Sequence, residues 1–89
     1  LSWNTYGYER WLIGKDEVTY QADYKYFKGP LRELKGEFSL SYKHAYEDEV
    51  EKARLIVTGE ETEIASVIEL PTVEIEAFIE RIEEHFAEK

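Results

Sequence analysis

The chain has 89 residues, 43% hydrophobic and 15% aromatic, with a formal net charge of −9 and neither cysteine nor methionine. That length and apolar content suit one domain, spanning residues 1–89, on a single core and argue against intrinsic disorder. Missing cysteine removes disulfides, thiolate nucleophiles and cysteine-ligated zinc, and no apolar run approaches the roughly 18 residues of a membrane-spanning helix.

Trp3, Tyr6, Tyr8, Trp11, Leu12 and Ile13 make residues 3–13 read as one strand. Alternation breaks into a consecutive apolar run near Arg10, as a β-bulge or burial on both faces would produce. Lys15-Asp16-Glu17 is a polar turn. Residues 18–27 form the cleanest strand, with Val18, Tyr20, Ala22, Tyr24 and Tyr26 on one face and Thr19, Gln21, Asp23 and Lys25 on the other. Gly29-Pro30 ends it. From Gly29 to Gly36 the residues fit either a turn of helix with proline at its first position or a wide β-bend.

Residues 37–46 resume alternation, with Phe38, Leu40 and Tyr42 inward. In 44–52, Tyr46, Val50 and Ala53 have helical spacing, whereas Glu47-Asp48-Glu49 suits an exposed loop. The adopted reading is strand to about residue 46, then loop. Strands at 53–58 and 62–70 flank Gly59-Glu60-Glu61 as a hairpin. Pro71-Thr72 then opens a helix over 72–87, with Thr72 as N-cap and Glu74 and Glu76 at its positive dipole end. Ile75, Phe78, Ile79, Ile82 and Phe86 form its apolar stripe. The expected fold is α+β: an antiparallel β-sheet or partly open barrel of five to six strands, closed by one C-terminal amphipathic helix.

This order resembles the pleckstrin-homology-like superfold, in particular its small prokaryotic versions. The resemblance is carried by the strand from Tyr8 to Gly14, by Asp16-Glu-Val-Thr-Tyr-Gln21, and by the ending Val67-Ile-Glu-Leu-Pro-Thr-Val-Glu-Ile-Glu-Ala-Phe-Ile79. Two departures stand out. Lipid-binding members carry a basic cluster in the first β-turn, where this chain has Lys15-Asp16-Glu17, and the closing helix has no tryptophan. The resemblance implies a fold and transfers no function.

Charge is unevenly distributed. Residues 25–43 hold five bases and two acids, and residues 44–89 hold four bases and fourteen acids. Overall acidity disfavours nonspecific binding to nucleic acid or anionic membrane. Within the basic island, Lys25, Lys28, Arg32 and Lys35 are interleaved with aromatics, the ingredients of an anion-binding surface. A structural bend whose cations pair with the acidic remainder is the favoured account of them. His44 with Glu47, Asp48 and Glu49 is the nearest approach to a metal site, but the spacing matches no ligand motif and a solvated loop accounts for it. His85 falls in the last helical turn, where a cation meets the negative dipole end. Ser39, Ser41 and Ser66 with His44 lack a nucleophile elbow, and no glutamate is marked by an apolar setting. On the helix, Glu76, Glu80 and Glu83 share one side, as a solubilising face or a docking surface for a basic partner.

The function expected from these residues is a noncatalytic, cofactor-free interaction module that contacts another protein through a sheet edge or the acidic helix face. The competing reading is recognition of an anionic ligand or membrane surface by residues 25–35. A third is an acidic mimic of nucleic acid that occupies a basic protein. The start at Leu1 suggests a processed form or a domain of a longer parent chain, with cytoplasmic localisation favoured. Abundant glutamate and few thermolabile residues follow the compositional direction of hyperthermophile proteins.

Overall fold

Among the described residues two antiparallel meanders, joined in sequence by residues 36–38, are followed by a single helix. The structure, a computed structural model, describes residues 1–5, 8–24, 27–44, 48 and 50–87. The first sheet contains β1 (Ser2–Thr5), β2 (Glu9–Ile13), β3 (Glu17–Tyr24), β4 (Phe27–Lys28) and β5 (Arg32–Lys35). β1 pairs with β2 and β2 with β3, while β4 and β5 lie successively along the far side of β3. Residues 29–31 are therefore a β-bend that leads into strand β5, and no turn of helix forms between Gly29 and Gly36. Gly29 N donates to Ala22 O at 2.8 Å, keeping the bend on β3. Gly36, at φ 100°, ends β5 in the left-handed region that a side chain would oppose.

The single strand expected at 3–13 is a hairpin. The register sets Thr5 opposite Glu9 and Trp3 opposite Trp11, so the chain reverses between β1 and β2. The irregularity expected near Arg10 is also absent. Along β2 the residues alternate buried and exposed without a break, and Leu12 is 49% exposed. The apolar run misled because alternation continues through a charged residue, Glu9, which is only 1% exposed. Cross-strand register then stacks the core: Trp11 against Tyr20, ring centroids 4.3 Å apart, and Val18 between Ile13 and Leu34. The expected inward placement of Tyr26 lies outside the described residues, as does Lys25.

The second sheet contains β6 (Ser39–Lys43), β7 (Lys52–Thr58), β8 (Glu63–Ala65) and β9 (Leu70–Pro71). β7 is central, with β6 on one side and β8 and β9 in succession on the other. The strand expected at 62–70 is thus interrupted over residues 66–69. Ser66 bridges the break. Its Oγ accepts from Leu55 N at 3.0 Å and donates to Ile68 O at 3.0 Å, replacing lost ladder bonds. Strand continuation to about residue 46 falls partly outside the described residues; β6 ends at Lys43.

The sheets meet at a corner between β5 and β8 without a shared ladder, so the described strands form no closed barrel. Arg32 Nη2 donates across this corner to Glu63 O at 3.2 Å. Among the described residues nine short strands replace the five to six expected, because the strands expected at 3–13 and 18–27 each fold back on themselves, residues 32–35 add β5, and residues 66–69 divide the last one.

Helix α1 (Thr72–Ala87) buries Ile75, Phe78 and Ile82 on its inner face and packs on β6, β7 and β9. Trp3 of β1 stacks on Phe78 at 4.1 Å, so the helix contacts both sheets. Each of these buried side chains contributes about 1.5–3 kcal/mol of transfer free energy. Thr72 lies inside the helix instead of capping it from outside. Its Oγ1 donates to Val50 O at 2.7 Å and its N donates to Glu51 O at 2.8 Å, tying the helix start to the segment before β7.

Candidate functional site

An edge strand beside the helix supplies the candidate site. Among the described residues β6 pairs with β7 alone, leaving its other edge with alternate backbone N–H and C=O groups unpaired by any strand. None of its five residues is buried. The alternation seen in the sequence carries Leu40 only to half-burial, and Tyr42 is 36% exposed. Between this edge and α1 runs a cleft of about 330 Å³, with Phe38 and Leu40 on one wall and Ile82 and Phe86 on the other. Lys15 and Glu83 stand at its rim.

Opposite chain directions align the strand with the helix. Phe38, Ser39 and Leu40 face the Ile82–Phe86 end, whereas Tyr42 reaches the first turns, where its hydroxyl donates to Glu76 Oε1 at 2.9 Å. The bond, the negative charge of Glu76 and partial desolvation raise the Tyr42 pKa above its ordinary value. Glu80 lies between Glu76 and Glu83 on the helix, and all three carboxylates are exposed. The acidic row found in the sequence therefore follows the open edge of β6.

The basic island is distributed differently. Lys28 stands opposite Asp23 and Lys35 opposite Glu17 in the cross-strand register. Arg32 is directed to the Glu63 carbonyl, and Lys35 shares a crevice with Glu33, Glu60 and Glu61. Acidic positions thus accompany these cations across the ladder, an arrangement that stabilises the sheet.

His44 Nδ1 lies 3.0 Å from Lys52 O. A carbonyl only accepts, so Nδ1 carries the proton in this bond. Of the acids grouped with His44, Glu47 and Glu49 lie outside the described residues and Asp48 is exposed. Among the described residues no cluster of histidine and carboxylate side chains has the geometry of a metal site. His85 is in the last turn of α1 with its ring edge-on to Phe86 at 4.9 Å. Ser39 and Ser41 are exposed on β6, whereas Ser66 is committed to the break between β8 and β9.

One group that sequence reasoning missed is the buried carboxylate of Glu9. It accepts from the Tyr20 hydroxyl and, at 2.5 Å, from the backbone N of Val67. Val67 N also reaches Tyr20 Oη at 3.2 Å. Three hydrogen-bonding groups thereby join β2 and β3 to the interruption of the second sheet. The period-two spacing of Glu9 with Trp11 and Ile13 was the available signal, and it places an acid in an apolar setting after all. Among the described residues the buried Trp11 Nε1, whose ring packs on Tyr20, has no hydrogen-bond partner.

Compared with known proteins, the chain matches no family model, no curated protein and no solved structure.

Proposed function

We propose that this chain is a noncatalytic interaction module that receives an extended segment of another protein along the free edge of β6. One observation carries the reading: an unpaired edge strand lies beside an apolar cleft whose far wall is a helix. Strand addition satisfies the open N–H and C=O groups of β6, and the cleft between Phe38, Leu40, Ile82 and Phe86 takes alternate side chains of the incoming segment. The rigid part of the site is already in place, because α1 is anchored by Ile75, Phe78 and Ile82. The order of antiparallel strands, Leu70-Pro71 and a closing helix supports the pleckstrin-homology-like resemblance as the fold-level frame for this module.

The acidic helix face belongs to the same site, since Glu76 and Glu83 both border the strand side of α1. The charge-balanced register of Lys28 and Lys35 favours this edge over the basic island.

The test is amide chemical-shift mapping with extended peptides selected from a displayed library. The expected footprint covers residues 38–43 and the α1 residues that face them. A footprint centred on residues 28–35, or none on β6, would contradict the proposal.

A further inference from the structure

We infer that the segment received by β6 is basic and directional, reading Lys/Arg-x-Lys/Arg-x-apolar from its N-terminus. The inference rests on the edge-addition reading above and assigns the chemistry of the occupant. Along α1, Glu76 and Glu80 are separated by about 6 Å of axial rise, at 1.5 Å per residue. Residues i and i+2 of a strand are about 6.7 Å apart. Two cationic side chains at alternate positions of an added strand therefore match the spacing of the helix carboxylates.

The apolar wall fixes the third position. It lies towards Ile82 and Phe86, at the opposite end of the site from the Tyr42–Glu76 hydrogen bond. Antiparallel pairing is the commoner and stronger geometry, and a strand antiparallel to β6 passes Tyr42 first and Phe38 last. Such a segment meets Glu76 and Glu80 before it reaches the cleft. Its two basic residues thus precede its apolar one. A second copy of the chain fits less well: each copy carries a net charge of −9, and pairing two β6 edges brings two acidic rows together.

The experiment uses the full chain and three end-capped peptides of equal length, carrying Arg-x-Arg-x-Leu, the reversed order Leu-x-Arg-x-Arg, or Glu-x-Glu-x-Leu. Affinity is read by calorimetry and location by amide shifts. The forward peptide is expected to bind on β6 more tightly than the reversed one, and to lose about three- to tenfold in affinity in the E80K/E83K variant or at high salt. Both substituted residues are exposed, and an unchanged thermal midpoint verifies the fold of the variant. Equal affinity for forward and reversed peptides, or indifference to E80K/E83K, overturns the inference while leaving edge addition standing. If none of the three peptides shifts β6, both fail. A dimer whose β6 amides shift on dilution likewise overturns it in favour of a second copy.

Discussion

The carboxylate of Glu9 accepts the backbone N–H of Val67 at 2.5 Å across 58 residues of sequence. This bond links β2 to the point where β8 gives way to β9, and the Tyr20 hydroxyl shares the same oxygen. A buried acceptor of this kind is costly to remove, because its donors remain without water. Glu9→Gln is expected to destabilise the fold by about 1–3 kcal/mol, and Glu9→Ala by at least as much. For a domain of this size each kcal/mol lowers the thermal midpoint by about 4–8 °C. A Glu9→Gln midpoint equal to that of the unaltered protein would show that the network is dispensable.

The corner between the sheets depends on close approach at Gly59. A Cβ placed there would lie 2.9 Å from Leu34 Cδ1 and 3.1 Å from Leu34 Cγ. Leu34 is buried and held in register with Val18, so it yields little. Gly59→Ala is expected to cost about 1–3 kcal/mol through overpacking. Truncating the neighbour removes the clash, so the double variant Gly59→Ala/Leu34→Ala should be less destabilised than the sum of the two single changes. Additive costs in denaturant unfolding would place the effect of Gly59 elsewhere.

Tyr42 provides a pH-dependent contribution. Its pKa is raised from 10.0, first by the hydrogen bond to Glu76 and then by the charge of that residue. The folded state therefore holds the phenolic proton more tightly than the unfolded state. The resulting stability is fully present below pH 10.0 and is lost as pH rises through the folded value. The seven tyrosines overlap in absorbance, so the measurement is a difference titration between the protein and its Tyr42→Phe variant. The missing tyrosinate transition should lie above the ordinary value, and Glu76→Gln should move it back. A transition at or below the ordinary value would contradict the bond.

Much of the scaffold was legible from residue periods. The stripe of Ile75, Phe78, Ile79, Ile82 and Phe86 indicated a lid, and α1 packs on the second sheet in that role and touches the first through Trp3. Alternation located β3 and β6, although β6 buries none of its residues, and the turn at Gly59-Glu60-Glu61 located β7. Alternation failed at β1 and β2, where Trp3 and Trp11 looked like one strand and are opposed across a hairpin. Sequence periodicity records which face a residue occupies and carries no record of chain reversal. The break at Ser66 was hidden for a related reason, since its stabilising partners lie on β7 and at Glu9. The glutamate row was visible as a helix face. The cleft beside it was not, because a free edge is defined by which strands fail to pair.

Hydrogen exchange at the backbone of β6 tests the central claim most directly. Strand addition forms new bonds from the N–H groups that point away from β7. Saturation with the Arg-x-Arg-x-Leu peptide should therefore slow exchange at alternate residues of Ser39–Lys43, leaving those already bonded to β7 little changed. Slowed exchange in α1 with no change along β6 would contradict edge addition, whatever affinity the peptide shows.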